Sequence, residues 1–318
     1  MWRYTIRRLA FLPVIMLAVS IITFLLLRVL PGQDPAVLMA GQNARPEDVE
    51  RIHEILGLDR PIAVQYIDWM TDVLRGDPGT TYQSNGQRTI LDEVKRRLPH
   101  SAELVLISLC ISFVMGVSFG VISAMKRNSA IDYVVRLFAV LGQSVPDFFL
   151  LLLLIVIPWT LWNYAPPIGG SKAIWTDPMH NIRMYGPPAL ILGIGGAASI
   201  MRLQRTTMLE VLRSDYVRTA RAKGLSTWGV IARHAFRNTL TPLVTVLGTS
   251  FTLVFAGSVV AESVMGIDGV GIFFVESAIR RDFPVIQFLV LYTAVVVVLA
   301  NLIVDLSYAY IDPRVKYR

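Results

Sequence analysis

The sequence predicts an all-α membrane protein with six transmembrane helices and both termini on the cytoplasmic side. Three observations lead there. The 318-residue chain is 54% hydrophobic and 17% charged, with a mean hydropathy of +0.54, whereas soluble domains carry about a quarter charged residues. The apolar residues gather into runs at approximately 9–30, 101–125, 133–158, 187–203, 240–262 and 285–311. A helix crossing about 30 Å of hydrocarbon needs roughly 20 such residues. Lys and Arg, finally, concentrate in alternate segments between the runs.

The first run follows Arg3, Arg7 and Arg8, like the start of a signal peptide. It is too long for one and lacks a small-residue cleavage site, so it reads as a retained helix. Segment 31–99 is external and partly structured. Pro46 opens a helix, Glu47 and Asp48 suit its positive end, and Val49, Ile52 and Leu56 share a face. Gly57 ends it. A second amphipathic run, "IAVQYIDWMTDVL", precedes the turn chemistry of "RGDPGTTY". This segment either caps the outer membrane face or docks a soluble partner.

The second run holds Cys110, the only cysteine, so no intrachain disulfide forms. Pro13, Pro146 and Pro158 lie in or at the ends of runs, which membrane helices tolerate. The fourth run, "PPALILGIGGAASIM", is short and rich in Gly and Ala. Small residues let helices approach closely in lipid, so it reads as an interior helix.

The proposed inner segments carry Arg3, Arg7 and Arg8; Lys126 and Arg127; Arg202, Arg205, Arg213, Arg218, Arg221, Lys223, Arg233 and Arg237; and Arg314, Lys316 and Arg318. Segment 159–186, on the other side, has only Lys172 and Arg183. Lys95, Arg96 and Arg97 depart from the pattern, but 31–99 is long and Asp92 and Glu93 adjoin them. The net charge of +7 and pI of about 9.7 are scattered around apolar spans instead of gathered on one domain. That distribution argues against nucleic acid as a partner.

Enzyme chemistry is missing. No Lys follows a Gly, so there is no Walker A loop. His53, His100, His180 and His234 match no metal spacing, and there is no Gly-x-Ser-x-Gly elbow. The ionisable residues near the spans are Glu103, Arg136, Asp147, Glu262 and Asp305. Most lie near span ends, where they anchor or pack. Of these Asp147, after Pro146 in "GQSVPDFF", draws the most interest, because a proline break exposes polar backbone.

Between the fourth and fifth runs lies "YVRTARAKGLSTWGVIARHAFRNTLTP". Asp215 is expected to cap a helix running to Lys223, with Gly224 in the left-handed position behind it. Ser226 or Thr227 is expected to cap a second helix ending before Pro242. A DNA-binding role is excluded, because the element is tethered at both ends within the membrane.

This stretch resembles the EAA loop of type I ABC-transporter permeases, in the form of the dipeptide/oligopeptide/nickel family. Of the general Glu-Ala-Ala-x-x-x-Gly pattern, only Ala220 and Gly224 match, but "YVRTARAKGL" is similar to the peptide branch's own version. "LPGQDP", "LGLDRPIAVQYIDWM", "RLPHSAEL", "ESVMGIDGVGIFFVESAIRRDFPVIQ" and "NLIVDLSYAYIDPRVKYR" resemble further family segments in the right order. Asp268 departs from the usual Pro, and Gln33 is inserted in the first motif.

The resemblance implies the type I ABC importer permease fold. Residues 1–99 would be a first transmembrane helix with its periplasmic-side segment, and 100–318 a five-helix core with a cytoplasmic coupling loop at 204–239. It implies a homologous permease subunit, two ABC ATPase subunits and an external solute-binding protein, in the inner membrane of a prokaryote. The cargo would be short peptides, or nickel chelates or glutathione as in some branches. The chain would bind no cofactor, with ATP and Mg²⁺ held by the partner subunits. Coupling to the ATPases would fall on Asp215, Val217, Arg218, Ala220, Arg221, Lys223 and Gly224, with Ala220 against the ATPase surface. A wide, watery path for polar cargo would be lined from Ser144, Asp147, Gly195, Thr249, Ser250 and Ser258. An ion-driven secondary transporter and a non-transporting scaffold are the alternatives. The first needs a mid-membrane carboxylate, and none stands out.

Overall fold

The computed structural model describes residues 2–29, 34–40, 45–81, 88–172, 174–231 and 236–311. Among these, apart from one isolated bridge between Thr80 and Thr89, the regular structure is helical. The outer part of the sequence gives α1 (Trp2–Val29), α2 (Pro35–Ala40), α3 (Pro46–Leu56) and α4 (Ile62–Leu74). Next come α5 (Ile90–Met125), α6 (Ala130–Ser144), α7 (Asp147–Trp162) and α8 (Pro178–Leu212). The chain continues through α9 (Asp215–Ala222), α10 (Thr227–Val230), α11 (Phe236–Met265), α12 (Val270–Ile279) and α13 (Phe283–Ile311). It divides into two compact units, one of residues 2–99 and 269–299, the other of residues 100–268 and those from 300 onward.

In the first unit the local signals act as expected. Pro46 is the first residue of α3, the Arg45 amide donates to the Asp48 carboxylate (3.3 Å), and Gly57 ends the helix at φ +57°. The "IAVQYIDWMTDVL" run is α4, and Gly76 and Gly79 take positive φ in the turn behind it. Phe24 of α1 meets Tyr66 edge-on and lies against Trp69, with ring centroids 5.5 and 6.1 Å away. Ser20 and Tyr66 share a 2.8 Å hydrogen bond. Ile90 and Val94 pack with Val270, Phe273, Val285 and Leu289, joining the start of α5 to α12 and α13. Part of the basic cluster that departed from the charge pattern is paired here. Arg96 and Arg97, with Arg88, donate to the nearly buried Glu93 carboxylate at 2.9, 3.2 and 2.9 Å.

The second unit is built around α8, which packs against α6, α7 and α11. Of its most apolar 18-residue window 61% is buried, against 22–28% in α5, α11 and α13, as an interior helix requires. Small residues permit this. A β-carbon on Gly193 would fall 2.6 Å from the Ile111 side chain, and the Gly193 carbonyl accepts from Ser112 Oγ at 2.9 Å. Met184, Tyr185, Ala189 and Leu192 then reach Leu104, Leu151, Ala261 and Met265.

Two expected elements differ from what forms. The third run is not one continuous helix. It breaks between α6 and α7, whose axes bend by 94°. Val145 is extended (φ −98°, ψ 125°), as a residue before proline prefers, and Pro146 offers no N–H to continue α6. The second helix of the basic insert does not run to Pro242 and stop. α10 is short, residues 232–235 lie outside the described part, and α11 starts at Phe236 and continues through Pro242. Proline removes one helical N–H, and a membrane helix tolerates that where neighbouring groups satisfy the freed carbonyl. Among the described residues four helices are long and apolar enough to span, or five with the bent pair as one; Leu12–Arg28 is a shorter apolar helix.

Candidate functional site

Two clusters of expected site residues fall in the unit around α8. The first is α9. It begins one residue after Ser214, whose hydroxyl donates to the Val211 carbonyl (2.6 Å) instead of capping the new helix. Asp215 is therefore the first helical residue and not the cap. Its carboxylate accepts from Arg218 at 3.4 Å, one turn on, and both side chains are exposed. The helix ends at Ala222, a residue short of Lys223. Gly224 takes φ +80°, and the Leu225 amide donates to the Ala220 carbonyl (3.3 Å), the closing bond of a Schellman turn. Ser226 Oγ then accepts from the Gly229 amide (3.2 Å) and caps α10, as expected.

Ala220 faces the other way from the expectation. It is 7% exposed and packs with Val217 and Val230 against Val211 and Leu212, the end of α8. Val217 and Ala220 lie three residues apart, so they share the apolar face by which α9 seats on its own chain. On the opposite face Asp215, Arg218, Thr219 and Lys223 are exposed. The Arg221 side chain lies outside the described part.

The second cluster is at the break. Asp147 is the first residue of α7 and is partly buried. A β-carbon on Gly195 of α8 would lie 3.4 Å from its Oδ1, and one on Gly257 of α11 3.6 Å from its Oδ2. No hydrogen bond or ion pair engages Asp147 among the described residues. Asp147 and Gly195, two of the expected path residues, are thus brought together, and Gly257 joins them unforeseen. Ser144 and Thr249 are exposed, their hydroxyls donating to the Val140 and Val246 carbonyls (2.8 and 3.0 Å). Ser250 and Ser258 are buried, and Ser258 Oγ donates back to the Phe255 carbonyl (2.8 Å). The fifth run therefore splits between two faces and does not line one open path.

Sequence reading also passed over a buried ion pair. Asp132 is 0% exposed and accepts from Arg205 Nε and Nη2, each at 2.9 Å, from Ser123 Oγ and from the Asn128 amide. It ties the start of α6 to α8. Glu103 accepts from Asn181 Nδ2 (2.8 Å), and Arg136 lies 3.5 Å from Asp132. Glu262 is buried; Asp305 and His234 fall outside the described side chains. His53 pairs with Asp34, His100 with Tyr185 (2.7 Å), and His180 with the Gly170 carbonyl (3.0 Å). Among the described residues no three metal-ligating groups converge.

An exposed loop helix beside a mostly buried span is the form a membrane subunit needs in order to meet a soluble partner. A family profile described as the binding-protein-dependent transport system inner membrane component matches residues 116–317, and its N-terminal counterpart matches 1–105. The chain belongs to this family. As a membrane component of such a system it is a multi-pass translocation subunit and not an enzyme.

Its relatives cover it end to end. A putative peptide transport system permease protein of Brucella abortus is 38% identical over 95% of each chain. The oligopeptide transport system permease protein AppB of Bacillus subtilis is 36% identical over 99% of each. The dipeptide transport system permease protein DppB of Alkalihalophilus pseudofirmus is 34% identical over the full length of both. The inward-facing MetNI methionine ABC transporter shares the fold: TM-score 0.57 at 17% identity, covering 69% of this permease and 96% of that chain.

Proposed function

We propose that this permease is the translocation subunit of an ATP-driven importer of short peptides. The observation that carries the reading is end-to-end similarity, at 34–38% identity, to permeases named for dipeptide, oligopeptide and peptide transport. The complex pairs it with a homologous permease, two ABC ATPase subunits and an external solute-binding protein in a prokaryotic inner membrane. ATP and Mg²⁺ belong to the ATPases. Six spans follow when α6 and α7 count as one bent span and α1 as another. Residues 1–99 then supply the first span and its periplasmic part, and 100–318 the remaining core. Both termini and the loop 204–239 face the cytoplasm, which the Lys/Arg distribution supports.

Residues 215–224 form the coupling helix. Val217, Ala220 and Gly224 fix its seat and turn, and Asp215, Arg218 and Lys223 face the ATPase. ATP-driven closure of the ATPases moves this helix with them, and the energy enters through contacts that differ between the two states. On the path, Asp147 supplies negative charge at the break, beside two positions that carry no side chain, where it meets a peptide ammonium. Ser144, Gly195 and Thr249 remain lining candidates, while Ser250 and Ser258 line it only after rearrangement.

The test is uptake of a labelled tripeptide into right-side-out vesicles carrying the complex, with its binding protein outside and ATP loaded inside. Uptake should require ATP and both ATPases. Uptake that persists without ATP and collapses with the proton gradient would replace this reading with secondary transport.

A further inference from the structure

The unit of residues 2–99 and 269–299 contains a separate cleft. The end of α1, α4, the turn behind α4 and the start of α13 enclose about 690 Å³. Several polar groups that line it have no partner among the described residues. Gln287 is 4% exposed, and its Nε2 donates to no group among the described residues. The Trp69 Nε1–H and the Gln65 Oε1 are buried and equally unmatched. The partly buried Arg28 guanidinium lies 5.5 Å from the Phe24 ring centroid and forms no ion pair among the described residues. Trp69 packs on that same ring, so Phe24 is the platform that holds both donors at the cleft.

Native folds leave few buried polar groups unmatched. Water satisfies a lone N–H but does not neutralise a partly buried guanidinium. Two N–H donors and a guanidinium ask for an anionic oxygen group, a carboxylate or phosphate. Gln65 Oε1 asks for a donor, and at the exposed lip the Asp72 carboxylate, unpaired among the described residues, asks for a cation. The volume falls within the roughly 300–1,000 Å³ of small-molecule sites.

We propose that this cleft binds a zwitterionic small molecule, its oxyanion on Arg28, Trp69 and Gln287 and its ammonium toward Gln65 and Asp72. A short peptide and a phosphoethanolamine lipid headgroup share this chemistry. The choice of a peptide probe rests on the peptide-import reading; the site itself does not.

The experiment is calorimetric titration of the purified full chain in maltoside detergent, without ATPases or binding protein. The probes are dialanine and glycerophosphoethanolamine, each with a control lacking the oxyanion: dialanine amide and ethanolamine. At least one zwitterion should bind saturably, and its control at least ten-fold more weakly. Tighter binding of dialanine identifies peptide as the source, and tighter binding of glycerophosphoethanolamine a lipid headgroup. Arg28→Gln should weaken binding at least ten-fold. Gln287→Leu should also weaken it while leaving Tm unchanged or higher, because it removes an unmatched donor; a merely structural glutamine would lower Tm. Absence of saturable binding by both zwitterions, equal affinity for a zwitterion and its control, or unchanged affinity in both variants would overturn the site. Vesicle uptake by the wild-type complex, measured in parallel, tests the peptide-import reading by itself.

Discussion

Gly224 holds φ +80°, and a β-carbon there would meet nothing within 4 Å. The cost of Gly224→Val is therefore conformational, roughly 1 kcal/mol or more, and it falls on the turn that ends α9. We expect assembly to survive and the ATPase response to cargo-loaded binding protein to drop several-fold; full stimulation in reconstituted complexes would remove the turn from the coupling element. Ala220→Asp acts differently, because Ala220 is packed among Val217 and Val230. A carboxylate there should unseat α9, visible as faster hydrogen exchange across 214–231, and wild-type protection would refute the packing role. Arg205→Leu should be the most damaging single change. It takes from Asp132, 0% exposed, the guanidinium that pairs with it, whose side chain is 19% exposed. Removing one partner of a buried pair costs about 3–5 kcal/mol. Adding Asp132→Asn should recover part of the lost thermal stability in detergent; no recovery would mean that the two do not act as a pair. Gly57 and Gly224 were legible because their rule is local. Asp132 was not, because its partner is 73 positions away.

At the scale of the element, Pro146 announced a break but not its 94° bend. α7, which follows it, is apolar nearly all round, so periodicity there carried no direction. The basic cluster at 95–97 was legible only as an exception until Glu93 was seen to accept from Arg96 and Arg97. α2 and α3 offer a test in pH. A hydrogen bond from His53 to Asp34, with Asp34 and Asp59 nearby, raises the His53 pKa above its usual value. A raised folded pKa contributes stability in full below the unfolded value of about 6.5 and loses it as pH rises through the folded value. Amides around Ala36 and Ile52, which pack together, should therefore exchange faster on the alkaline side, after correction for intrinsic rates. His53→Gln should flatten that dependence. Identical corrected profiles for the two proteins would dismiss the histidine.

For the whole molecule, orientation is the decisive property. Lys223 and Trp175 are exposed and lie on opposite sides in the proposed topology. Cys110 is also exposed, so it is replaced first, as Cys110→Ser. In that background Trp175→Cys should react with an impermeant maleimide from outside, and Lys223→Cys only after permeabilisation. Labelling of both from outside would reject the orientation and, with it, the coupling role of α9.

Chain composition and pattern determined the helical class, the membrane setting, the start of α3 at Pro46 and its closing glycine, the interior nature of α8 and the family. These follow from sums along the chain or from rules that act within about one helical turn, so sequence order suffices for them. Tertiary structure decided that Ala220 faces inward, that Ser250 and Ser258 are buried, that Asp147 meets Gly195 and Gly257, and that Arg205 holds Asp132. It also decided that Arg28, Trp69 and Gln287 share one cleft. Each of these depends on how a helix is rotated about its axis. In a span that is apolar on every side, that rotation is set by the shapes and polar groups of distant segments packed against it, and a linear sequence does not order them.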